Sequence, residues 1–109
     1  MFFTFKRDFR KRKPWAGVEQ YVVWGDNIML VYAFIGANKS APRHNHPHEQ
    51  LVTIIEGEIS FTVGDETKNL KARDVVTVPS NMMHSATAGP QGCVTVEIFS
   101  PPREEFKTA

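Results

Sequence analysis

The chain has 109 residues, of which 41% are hydrophobic and 23% are charged, and its formal net charge is +1. This composition is typical of one soluble globular domain, and it excludes nucleic-acid or membrane binding driven by overall charge. The sequence after Met1 becomes charged within a few residues, so we expect neither a signal peptide nor a membrane span, and a cytoplasmic location. The single cysteine, Cys93, excludes an internal disulfide and fits the same compartment.

Residues 1–17 are predicted to form an N-terminal arm that is rich in basic and aromatic side chains. The basic residues are Lys6, Arg7, Arg10, Lys11, Arg12 and Lys13, and the phenylalanines are Phe2, Phe3, Phe5 and Phe9. No nucleic-acid motif accompanies them, so we expect a solvated segment or an oligomer contact rather than contact with RNA or DNA. The phenylalanines are too many for a free tail. We expect them to pack on the barrel of the same chain or of a second subunit, and we favour a homodimer.

The rest of the chain has the pattern of an all-β protein, because short runs rich in Val, Ile, Phe and Tyr alternate with Gly, Asn, Asp and Pro. Strands are predicted at 18–24, 28–35, 50–55, 58–63, 66–70, 74–78, 82–87 and 93–99. Tight turns are predicted at 25–27, 56–57 and 64–65, where glycine permits a positive φ, so neighbouring strands should pair antiparallel. Eight short strands in about 80 residues favour a small β-barrel or jelly roll around one ligand cavity.

Four side chains predict a metal site: His44, His46, Gln50 and His84. Imidazole nitrogens and an amide oxygen are ordinary ligands for divalent first-row metals, and residues i and i+2 of an extended segment share a face. Because His84 is distant in sequence, the fold must assemble the site. His48, in the turn after Pro47, is expected to be a solvent-facing residue rather than a ligand.

Strand alternation then predicts which side chains face the cavity. If Gln50 points inward, Val52 and Ile54 do as well, and His84 takes Met82 and Ala86 with it. Glu97 is the informative residue of the last strand, because a carboxylate between Val96 and Ile98 is costly to bury alone. Its partner is either a metal or substrate proton, or an Arg or Lys across the barrel.

These residues resemble the two motifs of the cupin family. The string His-Asn-His-Pro-His-Glu-Gln at 44–50, followed by Gly57, is similar to the first motif, and 74–84, ending in His84, is similar to the second. Arg73 and Asn81 stand where the family usually has glycine. The resemblance implies a single cupin domain over 1–109, with the arm at 1–17, the barrel at 18–99 and a tail at 100–109, and with His44, His46, Gln50 and His84 as the metal ligands.

A narrower resemblance, to the small cupins called pectin-degradation proteins, covers nearly the whole chain, from Met1-Phe2-Phe3 to the ending 99–106. It implies conversion of 4,5-unsaturated uronates, released from pectin or alginate, into linear 5-keto-4-deoxyuronate. In that pattern an Asp, a Phe and an Arg act on the substrate; Phe99 and Arg103 match, and Glu97 stands in place of the Asp. The alternative for Arg103 is a tail residue paired with Glu104 or Glu105.

The resemblance implies a divalent transition metal, and three His with one Gln suit nickel, manganese, iron, cobalt or zinc equally. The implied partner is a small anionic, sugar-like substrate, with no nucleic acid and no membrane. Two other classes stay open: a different metal-dependent cupin enzyme, such as a dioxygenase or sugar isomerase, and a non-enzymatic small-molecule-binding cupin.

Overall fold

The computed structural model describes residues 1–108 as eight strands and one short 3-10 helix. The strands are β1 (Arg10–Arg12), β2 (Val18–Trp24), β3 (Met29–Ile35), β4 (Ser40–His44), β5 (Glu49–Val63), β6 (Glu66–Leu70), β7 (Val75–Val78) and β8 (His84–Ser100), and the 3-10 helix is Glu104–Phe106. Within these residues no helix has the length and apolar character needed to cross a membrane.

Every strand pair is antiparallel, in the order β1-β2-β3-β8-β5-β6, with β4 added to β8 and β7 to β5. The two long strands pair with each other along most of their length. β8 also pairs with β4 near its start and with β3 near its end, while β5 pairs with β7 and then with β6. Each long strand thus joins two layers, and the predicted all-β antiparallel barrel is confirmed.

The long strands correct the predicted elements. Segments 50–55 and 58–63 belong to one strand, β5, and segment 93–99 belongs with residues 84–87 to another, β8. The predicted turn at 56–57 is wrong, because this segment is a bulge in the β5–β8 ladder. Gly57 has φ +77, and a Cβ there would lie 2.1 Å from the carbonyl oxygen of Gly92. Glycine is required for this close approach of two backbones, and not for a chain reversal.

The other two predicted turns are confirmed. Residues 25–27 connect β2 to β3, with the Gly25 amide donating to the Ile28 carbonyl over 2.8 Å. Residues 64–65 connect β5 to β6, with Gly64 at φ +59. Arg73 and Asn81, which replace the usual glycines of the cupin pattern, have φ values of +77 and +66, so both occupy the left-handed conformation that glycine adopts at least cost.

Sequence reasoning missed β1 and β4, since neither strand has an apolar alternation to reveal it. β1 reads Arg-Lys-Arg, and β4 contains Pro42 and ends at His44. Both strands form by pairing with distant partners, β1 with β2 and β4 with β8. The arm predicted at 1–17 therefore contributes a strand to the sheet.

Two apolar clusters fill the interior. One lies between β5, β6, β7 and β8 and comprises Val52, Ile54, Ile59, Phe61, Leu70, Val78, Ala86, Ala88 and Cys93. The other comprises Val22, Met29, Val31, Phe99 and Phe106. Cys93 is a buried apolar filler, and burial raises the pKa of its thiol to about 11. Phe106 belongs to the second cluster, so the tail predicted at 100–109 is anchored by one aromatic side chain.

The inward prediction for Met82 is wrong. Its side chain is 41% exposed, whereas Ala86 is buried. Strand alternation does not reach Met82, because β8 begins only at His84. For β5 the inward prediction is confirmed, since Gln50, Val52 and Ile54 are all buried.

The N-terminal phenylalanines behave in two ways. Phe5 packs on the chain's own barrel, with its ring centroid 5.3 Å from that of Tyr21 and 5.1 Å from that of Tyr32. Phe2 and Phe3 stay exposed, at 97% and 50%. The expected packing on the chain's own barrel is therefore found for Phe5, although 42% of that residue is still exposed.

Candidate metal centre

The histidines at 44, 46 and 84 come from two segments that the β4–β8 pairing brings together. His44, at the end of β4, is the register partner of His84, at the start of β8. His46 follows β4 in the turn before β5. The ring centroid of His84 lies 4.2 Å from that of His44 and 4.9 Å from that of His46. The three rings therefore surround one point at the end of the barrel.

Each ring is oriented by a backbone carbonyl. The Nδ1 atoms of His44, His46 and His84 lie 2.6, 3.0 and 2.9 Å from the carbonyl oxygens of residues 42, 48 and 82. A carbonyl oxygen only accepts, so in each case Nδ1 carries the proton and donates. The Nε2 atoms are then left with free lone pairs. This is the arrangement that fixes the tautomer and direction of metal-binding histidines.

The ligand atoms of these histidines converge. One nitrogen from each of His44, His46 and His84 can be chosen so that all lie within 4.8 Å of one another. Nε2 of His84 is buried without a hydrogen-bond partner in the part of the chain that the structure describes. An unpartnered buried acceptor is costly, and a cation at the centre of the cluster would satisfy it.

Gln50 adds a fourth possible metal ligand to the cluster. Its side chain, on β5, is buried, and its Oε1 lies 3.1 Å from Nε2 of His46. The other end of the amide, Nε2, donates to Oε1 of Glu97 over 2.8 Å. That hydrogen bond fixes which end of the amide faces His46. Two acceptor atoms therefore face each other without a proton between them, and a shared cation resolves this contact.

The protonation states suit a metal. Burial, followed by the charge of Arg103 and the proximity of His84, lowers the pKa of His46 to about 4. Burial also lowers the pKa of His84. Both imidazoles are thus neutral at neutral pH, the form that binds metals. Imidazole and amide ligands carry no negative charge, so this set fits a divalent transition metal and leaves its charge uncompensated.

His48 is not a member of the converging histidine cluster. Its ring centroid lies 5.6 Å from that of His46, and its Nδ1 is buried without a partner among residues 1–108. Its backbone carbonyl, and not its ring, contributes to the site by accepting from His46.

Glu97 lies on β8 beside the cluster and faces the same cavity. Gln50 pairs with Phe99 across the β5–β8 ladder, which places Glu97 diagonally opposite the amide. The second carboxylate oxygen accepts from Thr95 Oγ1 over 2.9 Å. Burial raises the pKa of this carboxyl, while the bonds from Thr95 and Gln50 and the charge of Arg103 oppose the rise.

The alternative of an ion pair for Glu97 is not found. Among residues 1–108, the ion pairs involve other carboxylates, and Arg103 affects Glu97 only at longer range. Two hydrogen bonds from uncharged donors, the Gln50 amide and the Thr95 hydroxyl, therefore hold the carboxylate. They leave it able to exchange a proton with a bound ligand.

Arg103 makes the predicted tail pairing and also lies at the wall of the cavity. Its Nε lies 3.1 Å from Oε1 of Glu105, which is the predicted tail pairing. The guanidinium nevertheless lines the cavity, where its side chain is only 16% exposed, and its Cζ lies 4.2 Å from the ring centroid of Phe106 and 5.3 Å from that of Phe99. The ion pair with Glu105 thus stabilises the charged guanidinium of Arg103 at the wall of the cavity.

One cavity between the sheets, with an internal volume of about 100 Å³, is lined by His44, Gln50, His84, Glu97, Phe99 and Arg103. His46 and His48 do not line it. The apolar wall includes Val52, Ile59, Phe61, Ala86 and Phe99. Sequence reasoning missed four further lining residues: Arg12, Trp15, Gln20 and Phe106. The basic run around Arg12 was visible in the sequence, but its contact with the cavity depends on the β1–β2 pairing.

An antiparallel barrel that carries His, His and Gln near one strand end, with a third His opposite, defines a cupin with a candidate metal centre. Residues 32–99 match the family described as Cupin domain, which is more than half of the chain, and the protein belongs to this family. Across 85% of its length the chain is 26% identical to the pectin degradation protein KdgF of Dickeya dadantii, of which it covers 90%.

Solved structures agree with this assignment. An RmlC-like cupin from Shewanella frigidimarina is 27% identical, with a TM-score of 0.88 over 97% of this chain and 96% of that one. The structure of KdgF from Halomonas sp. is 20% identical, with a TM-score of 0.87 over 96% of this chain and 97% of that one. At that identity the second likeness concerns the fold alone.

Proposed function

We propose that this protein is a metal-dependent enzyme that converts 4,5-unsaturated uronates from pectin or alginate breakdown into linear 5-keto-4-deoxyuronate. The observation that carries the proposal is the convergence of three imidazoles and one amide at a cavity that a buried carboxylate and a guanidinium also line. The similarity to the pectin degradation protein of Dickeya dadantii supports the choice of substrate class.

His44, His46, Gln50 and His84 would hold the metal, which is nickel, manganese, iron, cobalt or zinc. When bound, such a cation acts as a Lewis acid and attracts an anionic, oxygen-rich ligand, because its neutral ligands leave its charge uncompensated. Hydrogen bonds from Nδ1 to backbone carbonyls orient the three imidazoles before the metal arrives, and the bond to Glu97 orients the Gln50 amide.

Glu97 is proposed to move the proton. Hydration and ring opening of an unsaturated uronate require proton transfers at C4, at C5 and at the ring oxygen. A carboxylate that is held by Gln50 and Thr95, and that faces the cavity, is suited to relay these protons as a general acid and base. Glu is one methylene longer than the Asp of the pectin-degradation pattern, and its two hydrogen bonds fix the position of the carboxylate at the end of this longer side chain.

Arg103 and Phe99 are proposed to bind the substrate. The guanidinium has donors beyond the Nε that pairs with Glu105, and these suit a bidentate pair with the uronate carboxylate. Phe99 is buried at the end of the cavity, with its ring centroid 5.7 Å from that of His46. It supplies an apolar surface on which the sugar face packs beside the metal ligands.

A homodimer in the cytoplasm is the proposed state of the enzyme. Exposed apolar side chains support self-association, and they include Phe2, Phe3, Ile28, Leu51, Ile55 and Val75. Such side chains could be buried against a second copy of the chain. Light scattering tests this proposal, and a monomer over the working concentration range contradicts it.

The proposed function is tested by a turnover assay on an unsaturated uronate. The loss of ultraviolet absorbance of its double bond is followed above the spontaneous rate, with and without chelator. We expect acceleration that chelator removes and that metal restores. No acceleration by metal-loaded protein contradicts the proposal, and oxygen consumption measured in parallel identifies a dioxygenase instead.

A further inference from the structure

The N-terminal basic segment does more than cover the barrel, because one of its arginines lines the metal cavity. In β1 the side chains alternate, so that Lys11 is exposed while Arg10 and Arg12 are partly buried. Arg12 is the register partner of Gln20 on β2, and its Nη1 donates to Oε1 of Gln20 over 2.5 Å. Both side chains line the cavity.

Arg12 contacts the same aromatic ring as the other guanidinium of the cavity. Its Cζ is 3.8 Å from the ring centroid of Phe106, and the Cζ of Arg103 is 4.2 Å from the same centroid. The two cations therefore contact one aromatic ring, although they come from opposite ends of the chain. Two like charges on one ring repel each other, and an anion bound by both would offset this repulsion.

The charge of Arg12 has no carboxylate partner. Within residues 1–108 the ion pairs do not include it, and its hydrogen-bond acceptor is a neutral amide. Burial, followed by the charge of Arg103, lowers its pKa, while the Glu105 carboxylate acts in the opposite direction. Its neighbours differ, because Lys11 and Lys13 on the outer face pair with Glu19 at 3.4 and 3.7 Å. The two surface lysines therefore have a carboxylate partner. The inward-facing Arg12 has no such ion pair among the described residues, so its charge is available to a ligand.

We infer that Arg12 and Arg103 form a two-guanidinium subsite in the metal cavity that holds the carboxylate of the ligand between the two ends of the chain. This inference rests on the proposed function for the identity of that ligand as a uronate. Two planar donors facing one anion compensate their mutual repulsion, and they discriminate a uronate from an uncharged sugar of the same shape. Arg12 is thus a binding and specificity residue, and Glu97 and the metal ligands carry the chemistry.

The test measures binding of D-galacturonate, a saturated uronate that cannot turn over by this route, to the metal-loaded protein by calorimetry. Arg12→Met keeps an unbranched side chain against Phe106 and removes the charge, and Arg12→Lys restores the charge without the planar fork. Lys11→Met is the matched control, on the same strand but on its outer face. Melting temperature and metal content are recorded for each variant.

We expect Arg12→Met to weaken galacturonate binding about ten- to hundredfold, Arg12→Lys to recover part of it, and Lys11→Met to stay within about twofold. Galactose, which lacks the carboxylate, should bind equally weakly to all of them. Unchanged galacturonate binding in Arg12→Met overturns the subsite, as does the absence of binding to the wild-type protein. An equal loss for galactose, or a loss that follows metal content, overturns it in favour of a structural role.

Turnover separates this inference from the proposed function. Arg12-dependent galacturonate binding without turnover of an unsaturated uronate leaves the subsite standing and removes the proposed function. Turnover with the same KM in Arg12→Met removes the subsite and leaves the function. If both hold, Arg12→Met raises KM more than it lowers kcat, because the residue binds substrate away from the proton transfers.

Discussion

Gln50 and Glu97 are joined by a hydrogen bond of 2.8 Å in which the amide nitrogen donates to the carboxylate, and this bond turns the amide oxygen toward His46. The carboxylate thereby orients a candidate metal ligand while its other oxygen is held by Thr95. Glu97 thus connects the metal centre to the proposed proton relay, because it orients Gln50 and is also the proposed proton carrier. These two roles predict different effects for different substitutions of Glu97.

Replacing Glu97 by Gln should abolish turnover and keep the metal. The new amide oxygen still accepts from Gln50, so the ligand keeps its orientation, but no carboxyl is left to move a proton. We expect kcat to fall at least about a hundredfold. Glu97→Leu, which also removes the acceptor, should in addition weaken metal binding about ten- to hundredfold. Thr95→Val removes only one of the two hydrogen bonds to the carboxylate and should lower kcat less than Glu97→Gln does, whereas full activity in Glu97→Gln removes Glu97 from the mechanism.

Replacing His46 by Ala should strip the metal. This change removes a buried donor whose Nε2 faces Gln50, while His48→Ala keeps the backbone carbonyl that orients the site. Elemental analysis after dialysis should find little metal in His46→Ala and wild-type content in His48→Ala. Wild-type content in His46→Ala shows that the metal, if one binds, is held elsewhere.

The metal-free protein should lose stability as the pH falls below about 6.5. The pKa of His46 is lowered from 6.5 to about 4 by burial, so below 6.5 the unfolded chain binds the proton more readily than the folded one. The contribution is complete above 6.5 and is lost on the way down to 4. We expect the free energy of unfolding to fall by on the order of 1 to 2 kcal/mol, after screening by cavity water.

Urea denaturation of the metal-free protein at pH values on both sides of 6.5 measures this loss. His46→Asn should show a shallower dependence, since the titrating ring is gone. An identical dependence in that variant assigns the effect to other groups.

Replacing Gly57 by Ala should destabilise the barrel. The added Cβ would lie 2.1 Å from the Gly92 carbonyl oxygen, at a φ of +77. We expect a loss of at least about 2 kcal/mol in the free energy of unfolding. Gly25→Ala is the matched control, because its Cβ would meet nothing nearer than 3.7 Å, and it should change stability by less than about 1 kcal/mol. Equal stability of the two variants contradicts the close β5–β8 approach.

The sequence was sufficient for the features that repeat locally. Alternating apolar runs predicted an all-β antiparallel barrel, and the inward face of β5 followed from period-two alternation at Gln50, Val52 and Ile54. The string at 44–50 and the isolated His84 indicated which donors to bring together. These signals are readable because each depends on residue types at short, fixed spacing.

Tertiary structure alone decided what depends on distant pairing. The bulge that makes β5 continuous depends on the approach of Gly57 to Gly92, so the sequence offered only a glycine that also fits a turn. The hydrogen bond between Gln50 and Glu97 depends on the β5–β8 register. Arg12 reaches the cavity only because a strand with no apolar alternation adds to β2. Backbone hydrogen bonds between segments that are distant in sequence set these contacts. The periodicity of side chains within one segment does not predict such pairing.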